Sequence, residues 1–200
     1  MKTGICSRYF PATVLALSLP VLASVPLRAA TETYVIDPDH SRAQFEITHL
    51  LFSTVTGKFA KLQGTLMVDL SDLSKSSADV VIDAASITTD VEMRDKDLRS
   101  PRFFDVAKYP TITFKSTSVT ATGTDTLQVA GNLTMHGVTK QVVIAVTGWA
   151  SGTGSKGTPA VGFRRGTLTL KRSDYGITTL NGPVGDEVNI TLSVEANKKQ

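Results

Sequence analysis

Apolar and polar residues alternate along most of this 200-residue chain, and this period of two constrains its fold more than any other feature. Successive side chains of a β-strand point to opposite faces, so the alternation predicts strands with one apolar and one solvated face. Long helical periodicity is absent. We predict an all-β protein, an antiparallel barrel or sandwich of about eight strands, in which the first two segments form one interrupted strand. The predicted strands cover residues 33–37, 42–50, 57–70, 77–88, 111–120, 125–135, 139–150, 160–171 and 186–196.

The alternation also predicts which residues point inward. In segment 42–50 the less polar face contains Ala43, Phe45, Ile47 and His49. The apolar faces of two later segments contain Leu127, Val129, Gly131, Leu133 and Met135, and Val188, Ile190, Leu192, Val194 and Ala196. Antiparallel strands of this kind pack one face on a core and leave the other in water. His136-Gly137 predicts a compact hairpin turn, because Gly supplies a positive φ, and residues 151–159 predict a flexible loop.

One short helix is predicted within residues 89–100. Thr89 and Glu92 have the T-x-x-E spacing of a capping box. Val91 and Leu98 are the main apolar residues of this charged segment. We expect the helix to cover one opening of the barrel, with the pair Phe103-Phe104 plugging or lining that mouth.

The N-terminus indicates export. Residues 1–30 combine a basic start with a mostly apolar stretch, which predicts a cleaved signal peptide, a mature domain over residues 31–200 and a periplasmic location. Cleavage would remove three of the 21 basic residues and none of the 18 acidic ones, so the mature chain is formally neutral. The composition therefore gives no argument for a nucleic-acid partner. The sole cysteine, Cys6, lies in the leader, which excludes disulfides, thiol nucleophiles and zinc–thiolate sites in the mature chain.

No sequence motif identifies a reaction. The histidines His40, His49 and His136 lack tight metal-ligand spacing, and neither a G-x-S-x-G motif nor a phosphate-binding glycine motif is present. His49 can be a hydrogen-bonded core or rim residue, which we favour, or a ligand contact. A turn anchor explains His40 best. For the pair Asp95 and Asp97, a solvated helix face is a better explanation than a catalytic pair.

Four motifs occur in a fixed order: YVIDPDHSRAQFEITH from Tyr34, LRSPRFFDVAKYPTITFKSTSV from Leu98, GNLTMHGVTK from Gly131, and RSDYGI from Arg172. Together they resemble the YceI-like family of secreted polyisoprenoid-binding proteins, over residues 34–195. The resemblance implies a lipocalin-like barrel whose apolar interior holds an isoprenoid chain, such as a quinone, without any cofactor.

The resemblance and the distribution of aromatic residues together predict the binding site. The interior residues expected to contact the ligand are Phe45, Ile47, His49, Phe59, Phe103, Phe104, Phe114, Leu133, Met135, Trp149 and Phe163. Arg94, Arg99 and Arg102 are candidate head-group contacts near the mouth, because guanidinium groups match phosphate geometry. Local ion pairs with neighbouring aspartates explain these arginines at least as well.

Three positions depart from the family pattern: Tyr34 replaces a frequent Trp, Asp97 a frequent His, and Gln141 a common Pro. The Asp97 change bears most on head-group recognition. The resulting prediction is a non-enzymatic periplasmic lipid-binding protein for transport, storage or sequestration, capable of transient membrane contact and of forming a homodimer. Two alternatives stay open: a lipid-modifying enzyme that uses His49 or a mouth carboxylate, and a filled barrel that serves as a stress-related interaction module.

Overall fold

The described residues fold into eleven β-strands and one short α-helix. The computed structural model describes residue 1, residues 31–154 and residues 157–200, so most of the predicted signal peptide lies outside the described residues. The strands are β1 (Glu32–Ile36), β2 (Arg42–His49), β3 (Ser53–Phe59), β4 (Leu62–Val68), β5 (Ser77–Asp83), β6 (Ile87–Thr88), β7 (Thr111–Ala121), β8 (Thr126–Met135), β9 (Val138–Thr153), β10 (Pro159–Lys171) and β11 (Val184–Lys198). The helix is α1 (Glu92–Arg99), and short 3₁₀ turns span Leu73–Lys75, Ala84–Ser86 and Arg172–Tyr175.

Eight of these strands close into an antiparallel barrel. Their order around the ring is β1-β4-β5-β7-β8-β9-β10-β11, and β11 pairs back onto β1. This confirms the predicted all-β barrel with one short helix. Across the part of the chain that the structure describes, no helix is long and apolar enough to cross a membrane.

The other three strands, β2, β3 and β6, are present because three long strands of the barrel are each interrupted and divided into two. β1 and β2 both pair with β11, through Ile36 opposite Ala196 and Ala43 opposite Leu192, which confirms the predicted interruption. The segments predicted as single strands over 57–70 and 77–88 are also split. β3 and β4 are separated by residues 60–61, and β5 and β6 by the 3₁₀ turn Ala84–Ser86.

Two predicted connections have different outcomes. His136 and Gly137 have φ values of 51° and 76° and form the two-residue turn between β8 and β9, as predicted. The loop predicted over residues 151–159 is shorter. β9 extends to Thr153, which pairs with Pro159 at the start of β10, because backbone pairing continues even where apolar side chains end.

The core surrounds the centre of the barrel instead of filling it. Buried apolar residues form three separate clusters, centred on Tyr34, Tyr175 and Val146. Inward-facing side chains in the middle of strands, such as Val80, Leu133 and Leu192, contact these clusters but are only partly buried. A side chain that points inward and still has accessible surface must face an internal space.

The two ends of the barrel differ. We call one the helix end, formed by α1, the β2–β3 turn at residues 50–52 and the loop at residues 176–183. The backbone N–H of Leu50 donates to Pro183 O at 2.8 Å, and Thr179 Oγ1 donates to Arg102 O, so these parts are joined by hydrogen bonds. The opposite end contains the turn at residues 69–76, with the 3₁₀ segment that carries Leu73.

Candidate functional site

The interior of the barrel contains an apolar cavity of about 370 Å³. Most of the residues on its wall are aliphatic or aromatic. They come from β1 to β5, from β7 to β11, from α1 with its flanking loops, and from the segments 73–76 and 172–180. All eleven interior residues predicted from the sequence lie on this wall: Phe45, Ile47, His49, Phe59, Phe103, Phe104, Phe114, Leu133, Met135, Trp149 and Phe163. That they contact a ligand stays a prediction.

Aromatic rings shape the cavity near the helix end. The ring centroids of Phe45 and Phe59 are 6.0 Å apart, and Phe104 meets Phe59 edge-on at 5.8 Å. Phe45 lies against Gly57, where a Cβ atom would come within 2.3 Å of its Cζ atom. The ring occupies the volume that a side chain would need, so Gly57 is required by this close approach.

Polar groups on the wall are few. At the helix end they are His49, Thr89, Arg94, Asp97 and Arg172, and at the opposite end Ser76 and Ser77. Gln44 is a further polar lining residue. An apolar tail therefore has the body of the barrel available, whereas a polar group has hydrogen-bonding partners at the helix end. His49 stands on the wall, so the structure brings it to the cavity as its strand face predicts.

The three candidate head-group arginines are not equivalent. Arg94 lies on the cavity wall and donates from Nε and Nη2 to Thr89 Oγ1 and O, at 2.7 and 3.0 Å. Arg99 does not line the cavity, because its guanidinium donates to Ala85 O at 2.8 Å and Ile87 O at 2.6 Å. Arg102 is also outside the lining and forms an ion pair with Asp97 at 2.9 Å on the surface. Local anchoring thus explains Arg99 and Arg102.

Two expectations about the helix, the exposure of Asp95 and the capping box, are wrong. It is only 5% exposed, so it is not on a solvated face. The predicted capping box is wrong: the helix begins after Val91, and no side chain caps it. Asp95 accepts hydrogen bonds from Thr88 Oγ1 at 2.9 Å, from Thr89 N at 2.8 Å and from Thr89 Oγ1 at 2.5 Å. Burial raises the pKa of Asp95, but the bonds from Thr89 and Thr88 outweigh it, and the pKa lies below its ordinary value.

Val91 is a further correction. It is exposed and does not provide an apolar contact of the helix, whereas Leu98 does line the cavity as predicted. The helix is held down by Asp95 and Arg99 more than by an apolar stripe. This explains how a short, highly charged helix can stay at the end of the barrel.

Arg172 is a site residue that sequence reasoning left unassigned. It is 5% exposed, lies on the cavity wall and donates to the carbonyl oxygens of residues 177, 179, 184 and 185 at 2.7 to 3.0 Å. Burial lowers the pKa of its guanidinium, against an opposing effect of Asp186. One side chain therefore fixes the loop at residues 176–183. The RSDYGI motif marks the position, but nothing in it reveals four backbone acceptors.

The outer edge of the helix end is apolar. Leu51 and Phe52, in the β2–β3 turn, are 90% and 93% exposed, and Leu50 and Leu180 beside them are about half exposed. We call these four residues the rim. Large apolar side chains that are exposed next to one another are typical of interaction surfaces, whereas apolar residues exposed singly are ordinary.

The chain is similar to known proteins. Residues 34–196 match the YceI-like domain. The chain belongs to the YceI-like family. This confirms the resemblance read from the four motifs. Of the departures from the family pattern, Tyr34 is fully buried and donates its hydroxyl to Glu32 at 3.0 Å. Asp97 contributes to the cavity wall, and its carboxylate forms the surface ion pair with Arg102.

Similarity extends over nearly the whole chain. A UPF0312 protein of Azotobacter vinelandii is 39% identical over 185 residues, which cover 92% of this chain and 96% of that protein. Among solved structures, BcnA of Burkholderia cenocepacia has a TM-score of 0.73 at 26% identity, covering 81% of this chain and 99% of BcnA. A polyisoprenoid-binding domain of Saccharophagus degradans has a TM-score of 0.63 at 19% identity, covering 83% and 98%, and shares the fold.

Proposed function

We propose that this protein is a periplasmic binding protein that holds a polyisoprenoid or isoprenoid-quinone lipid inside the barrel, for transport, storage or sequestration. The observation that carries the proposal is the apolar cavity of about 370 Å³, around which the inward side chains keep accessible surface. A barrel of eight strands has an interior that is either just filled or able to hold one small ligand, and this one has room. The Saccharophagus degradans domain, which shares this fold, is described as polyisoprenoid-binding and so supports cargo of this kind.

The cavity suits an isoprenoid tail for physical reasons. Each CH₂ group that leaves water gains about 0.8 kcal/mol, so any apolar cavity attracts such a tail from water. The real competitor is the bilayer, from which transfer gains little by hydrophobicity alone. Selection among lipids must then come from the shape of the aromatic wall and from polar contacts at the helix end, where Arg94 and His49 are the candidate head-group contacts.

The rim supports transient contact with a membrane as part of this function. Cargo that moves directly between a bilayer and the cavity avoids exposure to water, and exposed leucine and phenylalanine side chains at the mouth can insert among lipid head groups. Export rests on the basic and apolar pattern of residues 1–30. Homodimer formation stays a prediction from the sequence.

Mass spectrometry of an organic extract tests the cargo. We expect natively purified protein to release an isoprenoid in about equimolar amount and protein refolded from denaturant to release none. An absorption band of a quinone ring would distinguish a quinone from a simple polyprenyl chain. An extract without lipid, together with failure of the refolded protein to take up a polyprenyl lipid or ubiquinone from vesicles, would refute the proposal.

A matched pair of leucines tests the rim. Leu51 and Leu70 are both exposed, but Leu70 lies at the opposite end of the barrel. We expect Leu51→Asp to slow lipid uptake from vesicles of phosphatidylethanolamine and phosphatidylglycerol at least several-fold, and Leu70→Asp to leave it unchanged. Equal uptake by both variants would remove the rim from the proposal.

Conversion of the lipid is the competing activity. His49 lies on the wall, so an enzyme would have a titratable group beside the cargo. Incubation of bound lipid with the wild type and with His49→Ala, followed by mass spectrometry, distinguishes the two. Binding without conversion in both samples is the expected result, and a product formed only by the wild type would establish catalysis.

A further inference from the structure

The barrel wall has a gap between β9 and β10. The ladder between these strands ends at the pair Thr167 and Ala145, although both strands continue beyond it. β9 stays paired with β8, and β10 with β11, so each strand remains in the sheet on its other side. Residues 138–144 of β9 and 168–171 of β10 thus lie on either side of the gap, without a backbone ladder between them.

The gap is closed at both ends. At one end lies the last pair of the ladder. At the other end the chain leaves β10 and turns into the 3₁₀ segment Arg172–Tyr175. His136 Nδ1 donates to Tyr175 O at 2.9 Å, so a hydrogen bond connects the β8–β9 turn to this segment. The gap is therefore a window in the wall, and the strands do not separate further towards the helix end.

A groove of about 230 Å³ lies in the gap, lined by residues 140–143, 168–170, 174 and 175. Most of these residues are exposed, so the groove lies on the outer side of the barrel. Val142, Leu168 and Leu170 line both the groove and the central cavity. Here side chains, and not a ladder, separate the two spaces. Because a side chain rotates far more readily than a ladder opens, the cavity can extend into the groove.

The groove is more polar than the cavity. Its lining includes the side chains of Lys140, Gln141, Thr169 and Asp174. Beyond the last pair, alternate residues of each strand direct backbone N–H and C=O groups at the gap, because an antiparallel strand bonds alternately to its two neighbours. Tyr175, another lining residue, has a buried hydroxyl without a hydrogen-bond partner among the described residues. The groove therefore combines donors and acceptors with one positive and one negative side chain.

We propose that the groove is a subsite for the polar end of a neutral lipid whose apolar chain lies in the cavity. The subsite rests on the proposed function, since it has no role without a chain in the cavity. A hydroxyl or carbonyl group can pair with the mixed donors and acceptors of the groove. A phosphate would meet the carboxylate of Asp174 as well as the ammonium group of Lys140, which disfavours an anionic head group.

Two substitutions on the outer face of β9 test the subsite. Val143 lines the groove and is 51% exposed, so Val143→Trp fills the groove without entering the core. Thr147 lies on the same face and is exposed, but β9 is paired with β10 at this position. Thr147→Trp is the matched control, because it adds the same ring outside the groove. Circular dichroism verifies that both variants are folded.

The ligands are phytol, an isoprenoid alcohol, phytane, the hydrocarbon with the same branched skeleton, and phytyl phosphate. Each is offered to delipidated protein in phosphatidylcholine vesicles, and the amount bound per chain at equilibrium is measured by mass spectrometry of the separated protein. The comparison of phytol with phytane isolates the contribution of the polar end, because the apolar chain is the same.

We expect Val143→Trp to bind phytol about ten-fold more weakly than the wild type and Thr147→Trp, which corresponds to the loss of one or two hydrogen bonds. Phytane binding should be equal in all three proteins, and the wild type should bind phytyl phosphate more weakly than phytol. Equal phytol binding by the two variants would overturn the subsite alone, as would a loss of phytane as large as that of phytol. Tighter binding of phytyl phosphate than of phytol would overturn the neutral class. Uptake of none of the three lipids by the wild type would overturn the proposed function as well.

Discussion

Replacing Val80 with Phe should both stabilise the ligand-free protein and reduce its lipid load. Val80 lies on β5 and lines the cavity between the clusters that contain Tyr34 and Val146. Its neighbour Val81 is not on the cavity wall. Val81→Phe is therefore a matched control, in which the same substitution is made one residue further along the strand on the opposite face.

The structure determines the size of the effect. Cavities destabilise proteins by about 24 cal/mol per Å³, so roughly 9 kcal/mol corresponds to a space of this size, comparable to the whole stability of a typical domain. Phe has four more side-chain carbon atoms than Val, and at about 0.8 kcal/mol per buried carbon their upper limit is about 3 kcal/mol. After the side-chain entropy that Phe loses on burial is subtracted, we expect Val80→Phe to raise the free energy of unfolding by about 1 to 2 kcal/mol. Val81→Phe should change it by at most about 0.5 kcal/mol.

Two measurements check this prediction. Urea unfolding of delipidated protein gives the free energy of unfolding, and mass spectrometry of natively purified protein gives the lipid bound per chain. In a filled core the same substitution would overpack and cost about 1 to 3 kcal/mol, so the sign of the change is decisive. Destabilisation by Val80→Phe, with the lipid load equal to that of Val81→Phe, would show that the interior is filled and would refute our reasoning.

Three further predictions concern the helix end. Asp95→Asn should cost about 1.5 to 3 kcal/mol near neutral pH, because charged hydrogen bonds hold the helix. The pKa of Asp95 is lower in the folded protein, so this contribution to stability is complete above the ordinary carboxyl pKa of 3.8 and is lost as pH falls through the folded pKa. Urea unfolding at decreasing pH should therefore show the stabilities of the two proteins converging in acid. Arg172→Lys should destabilise by at least about 2 kcal/mol and increase hydrogen exchange at residues 177–185, since one ammonium group cannot reach four carbonyl oxygens. Gly57→Ala should displace the Phe45 ring, 2.3 Å from the new Cβ, and change the preferred chain length of extracted lipid; an unchanged lipid profile with an unshifted Phe45 NMR signal would contradict it.

The alternation of side chains predicted the part of the cavity wall that the strands form. Phe45, Ile47 and His49 face inward because a strand of known phase leaves no other choice, and the same holds for Leu133 and Met135 on β8. A period of two depends only on local backbone geometry, so a single sequence reveals it. The interruptions at residues 60–61 and 84–86 were not predicted, because they arise from pairing between segments that are distant along the chain.

The helix end was harder to predict for the same reason. Thr89 and Glu92 have the spacing of a capping box, yet Thr89 instead bonds to Asp95 and Arg94. The local pattern competes with a buried carboxylate that needs donors, and burial of Asp95 depends on how α1 meets β6. Arg172 is similar: its role depends on carbonyl oxygens from a loop that only the folded chain brings around it.

The distribution of hydrogen bonds indicates where cargo could enter and leave the barrel. Around the ring, every strand is joined to two neighbours by backbone ladders, which range from three residue pairs between β1 and β11 to ten between β8 and β9. At the helix end, β6 pairs with β3 through two residue pairs, and α1 is held mainly by the side chains of Asp95, Arg94 and Arg99. Segments held by few contacts open at lower free energy than the rest of a domain. We therefore expect α1 to move when the proposed lipid enters or leaves, with the opening beside the apolar rim.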